Sequence, residues 1–340
     1  MSRRLPATAI ILGVLVALVV IDLDPVPASP PVFGRSPETA MPVADAADAL
    51  TSTWFCAAGG ASDEEGTATS VIVANAGTED RSGTVAWHTP AAAPTIVPID
   101  VPGLGSVEVD ASDAVSAGML SAIVELDGGE VGVEHRLRTK RGVDVAPCAS
   151  SASPTWYFAN GTTARDASQR LVLFNPFAED VVVDISFSTN EGRDEPAALQ
   201  GLPIPAGTTN VVELTEHVRR RDVTATSIVA RRGRLVVDRV QSFDGSEGRR
   251  SLSLALAAPE PAEVWTFPEG FYTEGITERW HLYNPHDREA LASLELVPED
   301  GDLPEPVDLT IPPHGQVVVE ASELGRVAAD VAHFSTVRSL

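Results

Sequence analysis

Three β-sandwich domains in tandem after an amino-terminal hydrophobic helix are what this sequence predicts, and three observations predict it. An aromatic cluster, followed 19 or 21 residues later by a short apolar run ending in asparagine, occurs three times. Within each unit apolar and polar residues alternate at period two, as in Val183, Ile185 and Phe187 against Asp184 and Ser186, the sign of a strand with one buried face. Turn formers such as Asn75-Ala76-Gly77, Asn175-Pro176 and Asn284-Pro285 punctuate the runs, and helical periodicity is almost missing. Short strands with turn signals at roughly 8–12-residue spacing argue for immunoglobulin-like sandwiches, an all-β class. The spacing between units, 102 and 109 residues from tryptophan to tryptophan, is too long for solenoid repeats of roughly 20–50 residues, so each unit is expected to own a core.

The amino terminus sets the expected compartment. Arg3 and Arg4 precede fifteen uncharged, mostly apolar residues, Ala7 to Ile21, and Asp22 and Asp24 end the run. Residues 1–23 read as a signal anchor or as a cleaved signal peptide. As an anchor, residues 5–23 would hold the chain in the membrane, near the ~17-residue minimum for a span, with the arginines on the cytoplasmic side. As a signal, the nearest small-residue site is Val26-Pro27-Ala28. Either way residues 24–340 are expected outside the cytoplasm, tethered to the cell membrane or secreted. Residues 24–50, rich in Pro, Ala and Asp without a strand pattern, read as a linker.

The first unit, residues 51–150, opens with Trp54-Phe55-Cys56 and reaches its asparagine at Ser70-Val71-Ile72-Val73-Ala74-Asn75. About 28 residues on comes an apolar–proline–glycine signal, Val101-Pro102-Gly103, then a β-type run Ser106–Val109 and a small acidic turn at Ser112-Asp113. The segment Ser121–His135 reads as a hairpin closing over Gly128-Gly129. The chain's two cysteines, Cys56 and Cys148, bracket this unit. In an exported chain an even pair in that position suggests a disulfide from first strand to last, and nothing resembles a redox Cys-x-x-Cys.

Residues 151–260 repeat these features in order: Trp156-Tyr157-Phe158, Arg170–Asn175, Ile204-Pro205-Ala206-Gly207, Asn210–Glu213 and Thr215-Glu216. A second hairpin is expected at Ile228–Val237, closing over Arg232-Gly233. Residues 261–340 repeat them again with Trp265-Thr266-Phe267, Arg279–Asn284, Ile311-Pro312-Pro313-His314-Gly315, Gln316–Val319 and Ser322-Glu323. Aligning Ala332–Arg338 with Thr224–Ala230 leaves Leu340 just before the turn, without counterparts to Leu235–Val240 or Ser251–Leu256. The third repeat is therefore expected to be incomplete, with an unpaired sheet edge.

Charge and composition exclude more than they assign. A net charge of −24 argues against nucleic acid as a partner, which needs a basic field. The arginines of the second unit, Arg219 to Arg221, Arg231, Arg232, Arg234, Arg239, Arg249 and Arg250, suit solvent faces of edge strands, where charge discourages sheet association. No nucleophile elbow, phosphate loop or His-Glu-x-x-His helix is present. The seven histidines never fall into ligand spacing; His281, His286 and His314 are read as turn residues rather than a metal site. Asp63-Glu64-Glu65 lacks the spacing of a calcium loop. No catalytic, cofactor-binding or metal-binding residue is assigned. Trp54, Trp156 and Trp265 invite a sugar-stacking reading, but their fixed place in every unit suits packing, so they are taken, with Asn75, Asn175 and Asn284, as structural anchors.

The motif Trp156-Tyr157-Phe158-Ala159-Asn160-Gly161-Thr162-Thr163, followed by Arg170-Leu171-Val172-Leu173-Phe174-Asn175-Pro176, resembles a Trp-Tyr-Phe-Ala-x-Gly…Asn-Pro repeat of bacterial surface proteins. With the apolar amino terminus and the cysteine pair, the chain is similar to the actinobacterial envelope family catalogued as domain of unknown function 5719. That resemblance covers roughly residues 50–340, departs in the first unit at Cys56–Gly59 and implies no catalytic residues. The expectation is a non-enzymatic, extracytoplasmic scaffold or interaction protein with an envelope protein or glycan as partner. The alternatives are a module binding cell-wall polysaccharide and an accessory subunit of an envelope enzyme.

Overall fold

Alternating residues with one apolar face need a second sheet to cover them, and the chain supplies it by returning strands in pairs. The computed structural model describes residues 41–340 except 65 and 91; the expected anchor at 1–23 and most of the expected linker lie outside the described residues. No helix among the described residues is long and apolar enough to cross a membrane.

The first group holds eight strands: β1 (Thr51–Ala61), β2 (Ala68–Asn75), β3 (Arg81–Thr89), β4 (Ala92–Val101), β5 (Ser106–Asp110), β6 (Ala117–Asp127), β7 (Val131–Thr139) and β8 (Gly142–Pro147). They form two antiparallel sheets of order β1-β6-β3-β4 and β5-β2-β7-β8. The second group is β9 (Thr155–Phe158), β10 (Ala167–Phe174), β11 (Val181–Thr189), β12 (Gly192–Asp194), β13 (Leu202–Ile204), β14 (Thr209–Glu213), β15 (Thr224–Arg232), β16 (Val236–Asp244) and β17 (Arg250–Leu256), with a one-turn helix α1 (Leu214–His217). Its sheets run β12-β11-β15-β9, with β13 also on β11, and β14-β10-β16-β17. This is the order of the first group, with β12 and β13 sharing the place of β4. The third group is β18 (Val264–Gly270), β19 (Arg279–Tyr283), β20 (Ala290–Pro298), β21 (Val307–Ile311), β22 (Gln316–Glu320), α2 (Ala321–Leu324) and β23 (His333–Ser339). Its sheets are β18-β23-β20-β21 and β19-β22.

Three details differ from the sequence expectation. The segments Ser121–His135 and Ile228–Val237 are not hairpins: β6 and β7, and likewise β15 and β16, lie in opposite sheets. Gly128 and Gly233 do turn the chain with φ of +85° and +82°, but the turn carries it across the sandwich. A local turn signal does not distinguish the two outcomes, because both need a left-handed residue between two apolar runs. Next, the register Trp265↔Val337 beside Trp156↔Ile228 makes Val337 the counterpart of Ile228, one residue from the alignment above. In a strand that slip exchanges the two faces. Last, Met41–Leu50 is not a free tether: Glu130 and Gly128 donate backbone hydrogen bonds to Asp45 and Leu50, and Val43 donates to the Ser150 hydroxyl.

The cores follow from the alternation. Val183, Ile185 and Phe187 are buried with Trp156, Leu171, Leu173 and Ile228, each large side chain contributing about 1.5–3 kcal/mol. This cluster continues through Ala57 and Ala58 into the first group, so the two groups share apolar packing across their junction. The third group has a smaller core around Trp280, Leu294 and Val337.

Candidate functional site

Each recurrent asparagine closes one end of its sandwich. The Nδ2 of Asn75 donates to the carbonyl oxygens of Glu79, Val101 and Pro102, and its Oδ1 accepts from the Gly77 N–H. Asn175 does the same with Glu179, Ile204, Pro205 and Phe177, and Asn284 with Arg288, Ile311, Pro312 and His286. An amide alone offers both donors and an acceptor in this compact shape, which accounts for the identity of the residue and for the apolar–proline signal that follows it. All three asparagines are buried.

The tryptophans are less uniform. Trp54 and Trp156 are buried, and Trp156 Nε1 donates to the Leu235 carbonyl over 2.9 Å. Trp265 is 42% exposed. Its unit instead buries Trp280, whose indole donates to the Ser335 hydroxyl.

Cys56 and Cys148 form a disulfide with an S–S distance of 2.09 Å and Cα atoms 4.6 Å apart. Beside it lies a polar cluster that the sequence reading missed. His135 on β7 is fully buried, with Nδ1 3.3 Å from Cys148 Sγ and Nε2 3.3 Å from Asp238 Oδ2. The imidazole and carboxylate are close enough to attract, but outside hydrogen-bonding alignment; the carboxylate's hydrogen bonds go to backbone. Asp238 Oδ2 accepts the N–H groups of Ala57 and Ala58 at 2.9 and 2.8 Å. Those two donors are free because β1 slips register against β6 between Cys56 and Gly59. Thus a bulge in the first group holds a carboxylate from the second. Cys56, His135 and Cys148 are the one group among the described residues whose ligand-type atoms converge, within 4.8 Å. Both sulfurs are joined to each other, whereas a thiol site binds metal as thiolate.

Further contacts cross the same junction. The Ser121 hydroxyl, on β6, donates to Ala57 O within the first group and meets Thr209 Oγ1 across the junction, the rings of His88 and Phe174 meet edge-on at 5.2 Å, and Leu254 N donates to Asp144 Oδ2. The second junction reuses the scheme. Gln316 begins β22 as Thr209 begins β14, and its Nε2 donates to the Ser188 carbonyl of β11. Burial pushes the Tyr283 phenol up to about 12, with Tyr157, Arg193 and Ser227 nearby; it lowers the His281 pKa, helped by the charges of Arg279 and Arg239. Arg239 itself is buried against the Phe158 ring and donates to the Asn160 carbonyl; desolvation draws its guanidinium down to about 10.

The other arginines of the second group do not converge. Arg231 pairs with Asp184, Arg232 with Glu179, Arg221 with Glu191 and Arg249 with Asp166. His286 and His314 meet through backbone in the turn closed by Asn284, while His281 sits on β19.

Residues 129–244 match the model of the Family of unknown function (DUF5719), from β7 of the first group to β16 of the second. No curated protein matches the chain. Among solved structures, the one titled Crystal Structure of Thermotoga maritima 1070 is similar at 12% identity, covering 29% of this chain and 92% of that chain with a TM-score of 0.25.

Proposed function

We propose that the chain is a non-enzymatic, extracytoplasmic scaffold of the cell envelope, built from three copies of one immunoglobulin-like domain and held at the membrane by residues 5–23. The observation that carries the reading is the repeated junction. At the first, β16 and β17 pack on β1 and β8 of the group before; at the second, β22 reaches β11. A polar residue at the same strand position, Thr209 or Gln316, crosses the boundary each time. Serial docking with part-buried hydrogen bonds at both boundaries favours a stiff spacer over a flexible string of domains with small polar interfaces. Within each copy the β2-type strand pairs with the β5-type and the β3-type with the β6-type, as in immunoglobulin sandwiches, with the β1-type strand in the place of the last; in the first two copies β7 and β16 stand in the place of the first.

The wall-polysaccharide module remains the second reading, favoured by one observation: Trp265 and Phe267 are exposed side by side on β18. Trp54 and Trp156, being buried, offer no such platform. Cross-linking of the full chain in intact envelopes tests the choice. The scaffold reading expects a stoichiometric protein partner; retention on purified wall glycan, released by soluble oligosaccharide, would replace it with the second reading.

A further inference from the structure

Two cysteines and a histidine meet at the junction of the first two groups, and the backbone holds them there independently of the disulfide. Phe55 and Ala149 exchange both backbone hydrogen bonds, at 2.8 and 2.9 Å, which sets Cys56 of β1 beside Cys148. Cys148 N donates to the Val133 carbonyl, which sets it beside β7 and His135. All three side chains are buried, and their ligand-type atoms lie within 4.8 Å of one another. The histidine is aimed. Its Nδ1 lies 3.3 Å from Cys148 Sγ, and Nε2, on the far side of the ring, lies 3.3 Å from Asp238 Oδ2. Tetrahedral zinc, at about 2.3 Å from sulfur and about 2.0–2.1 Å from nitrogen, holds such a pair about 3.5 Å apart. A carboxylate behind the second ring nitrogen is the usual outer partner of a zinc-bound imidazole. Asp238 is itself fixed by the N–H groups of Ala57 and Ala58.

We propose that reduction of the Cys56–Cys148 disulfide opens a zinc site, with Cys56 Sγ, Cys148 Sγ and His135 Nδ1 as ligands and Asp238 as the residue that positions the imidazole. A dithiol supplies the electrons. It is oxidised to its own disulfide, and the bond between the two cysteine sulfurs breaks as each takes up one electron and one proton. Zinc then replaces the two thiol protons, which leave to solvent. Charge favours this ion in this place. Two thiolates, a neutral imidazole and a divalent cation sum to zero, whereas an unpaired thiolate in a site without exposure is strongly disfavoured. Two sulfurs and a nitrogen select zinc over magnesium or calcium, which take oxygen ligands. Three protein ligands leave a fourth position, as in zinc sites that also take water. The oxidised form withholds both sulfurs, so the site answers to reduction. This inference concerns the interior of the first junction and does not depend on the scaffold reading.

The test uses the full chain, unfolded, reduced with a water-soluble phosphine and refolded without oxygen, with and without cobalt(II) as a visible stand-in for zinc. The phosphine takes the oxygen of one water and becomes its oxide, leaving two electrons and two protons on the sulfurs. Sulfur-to-cobalt charge transfer, the intense visible bands of tetrahedral cobalt and one metal per chain are expected, and zinc should displace the cobalt. The oxidised chain should show none of these. Asp238→Asn should weaken binding roughly 10–100-fold, as changes to an outer partner do, with the sulfur charge transfer retained. His135→Gln should weaken it at least as much and alter the visible bands. Both variants are first checked for folding in the oxidised form. Bands that persist when both cysteines are serine place the metal elsewhere and overturn the proposal. So does unchanged affinity in His135→Gln, or a reduced chain that refolds without taking cobalt. A reduced chain that stays unfolded at saturating zinc overturns it too, because the backbone frame argued for the site is then not regained.

Discussion

Replacing Asp238 by alanine removes an acceptor that two backbone donors share beside a buried imidazole, and the cost can be worked from the two hydrogen bonds. Ala57 N–H and Ala58 N–H each lose a charged acceptor under 3 Å away in a site with no exposure. Hydrogen bonds to charged groups contribute about 1.5–3 kcal/mol each. Losing both is therefore expected to cost Asp238→Ala about 3–6 kcal/mol. Asp238→Asn keeps one oxygen for the bulge and gives up the charge, and should lose about half as much. The assay is denaturant unfolding of the full chain with amide exchange at Ala57 and Ala58, since exchange locates the damage even where unfolding is not two-state. Faster exchange at those two amides should accompany the lost stability. An Asp238→Ala protein within about 0.5 kcal/mol of the parent, the range of ordinary surface changes, would refute the account of this junction.

Serine at both Cys56 and Cys148 should cost about 4 kcal/mol, because the bond closes a loop of 92 residues in the unfolded chain; an unshifted unfolding midpoint would remove that claim. Asn175→Asp should destabilise more than Asn175→Ala, since it points a carboxylate oxygen at three carbonyls in place of the donor; the reverse order in thermal melts would contradict the network. His281 is held below its ordinary value of 6.5 by burial, so the unfolded chain binds more protons just below that pH. Stability should therefore fall as pH drops below about 6.5, and His281→Gln should flatten that part of the curve; an unchanged slope would argue against it.

How much of this was legible in the sequence depends on whether a residue's role is local or contextual. The asparagines were legible because each closes contacts within a fixed span of chain, which any copy must repeat. The disulfide was legible because two cysteines that bracket one unit allow a single pairing. Asp238 was not: it is one of 48 acidic residues, and its partners lie about 180 residues earlier. Its site exists only because β1 bulges, and no residue type marks that bulge. His135 was equally hidden, since one histidine in an alternating strand reads as an inward side chain of any kind. Trp265 shows the converse. Its motif matches Trp54 and Trp156, yet it is 42% exposed where they are buried. The turns at Gly128 and Gly233 were placed correctly, and their outcome was not, because a left-handed glycine serves a hairpin and a sheet crossing alike.

The outer face of the second sheet differs between the first two groups. In the second group that face presents Val172, Phe174, Val236, Asp238 and Val240, all buried against the first group or its bulge. The matching positions in the first group, by the pairings of β2 with β7, are Ile72, Ala74, Gly132, Glu134 and Arg136. Three large apolar residues have become Ala74, Gly132 and Arg136, and Arg136 is engaged in an ion pair with Glu108 on the same face. Glu134, in the place of Asp238, is exposed. One fold thus carries a docking face in the second copy and a solvated one in the first. An identical apolar face on the first group would be open to another molecule head to tail, a contact that risks a filament. The polar substitutions cost the first group nothing inside, since Val71, Val73, Val131 and Val133 keep the inner face apolar. Period-two alternation lets the two faces of a sheet evolve separately, and here it separates holding a domain together from deciding what the domain touches.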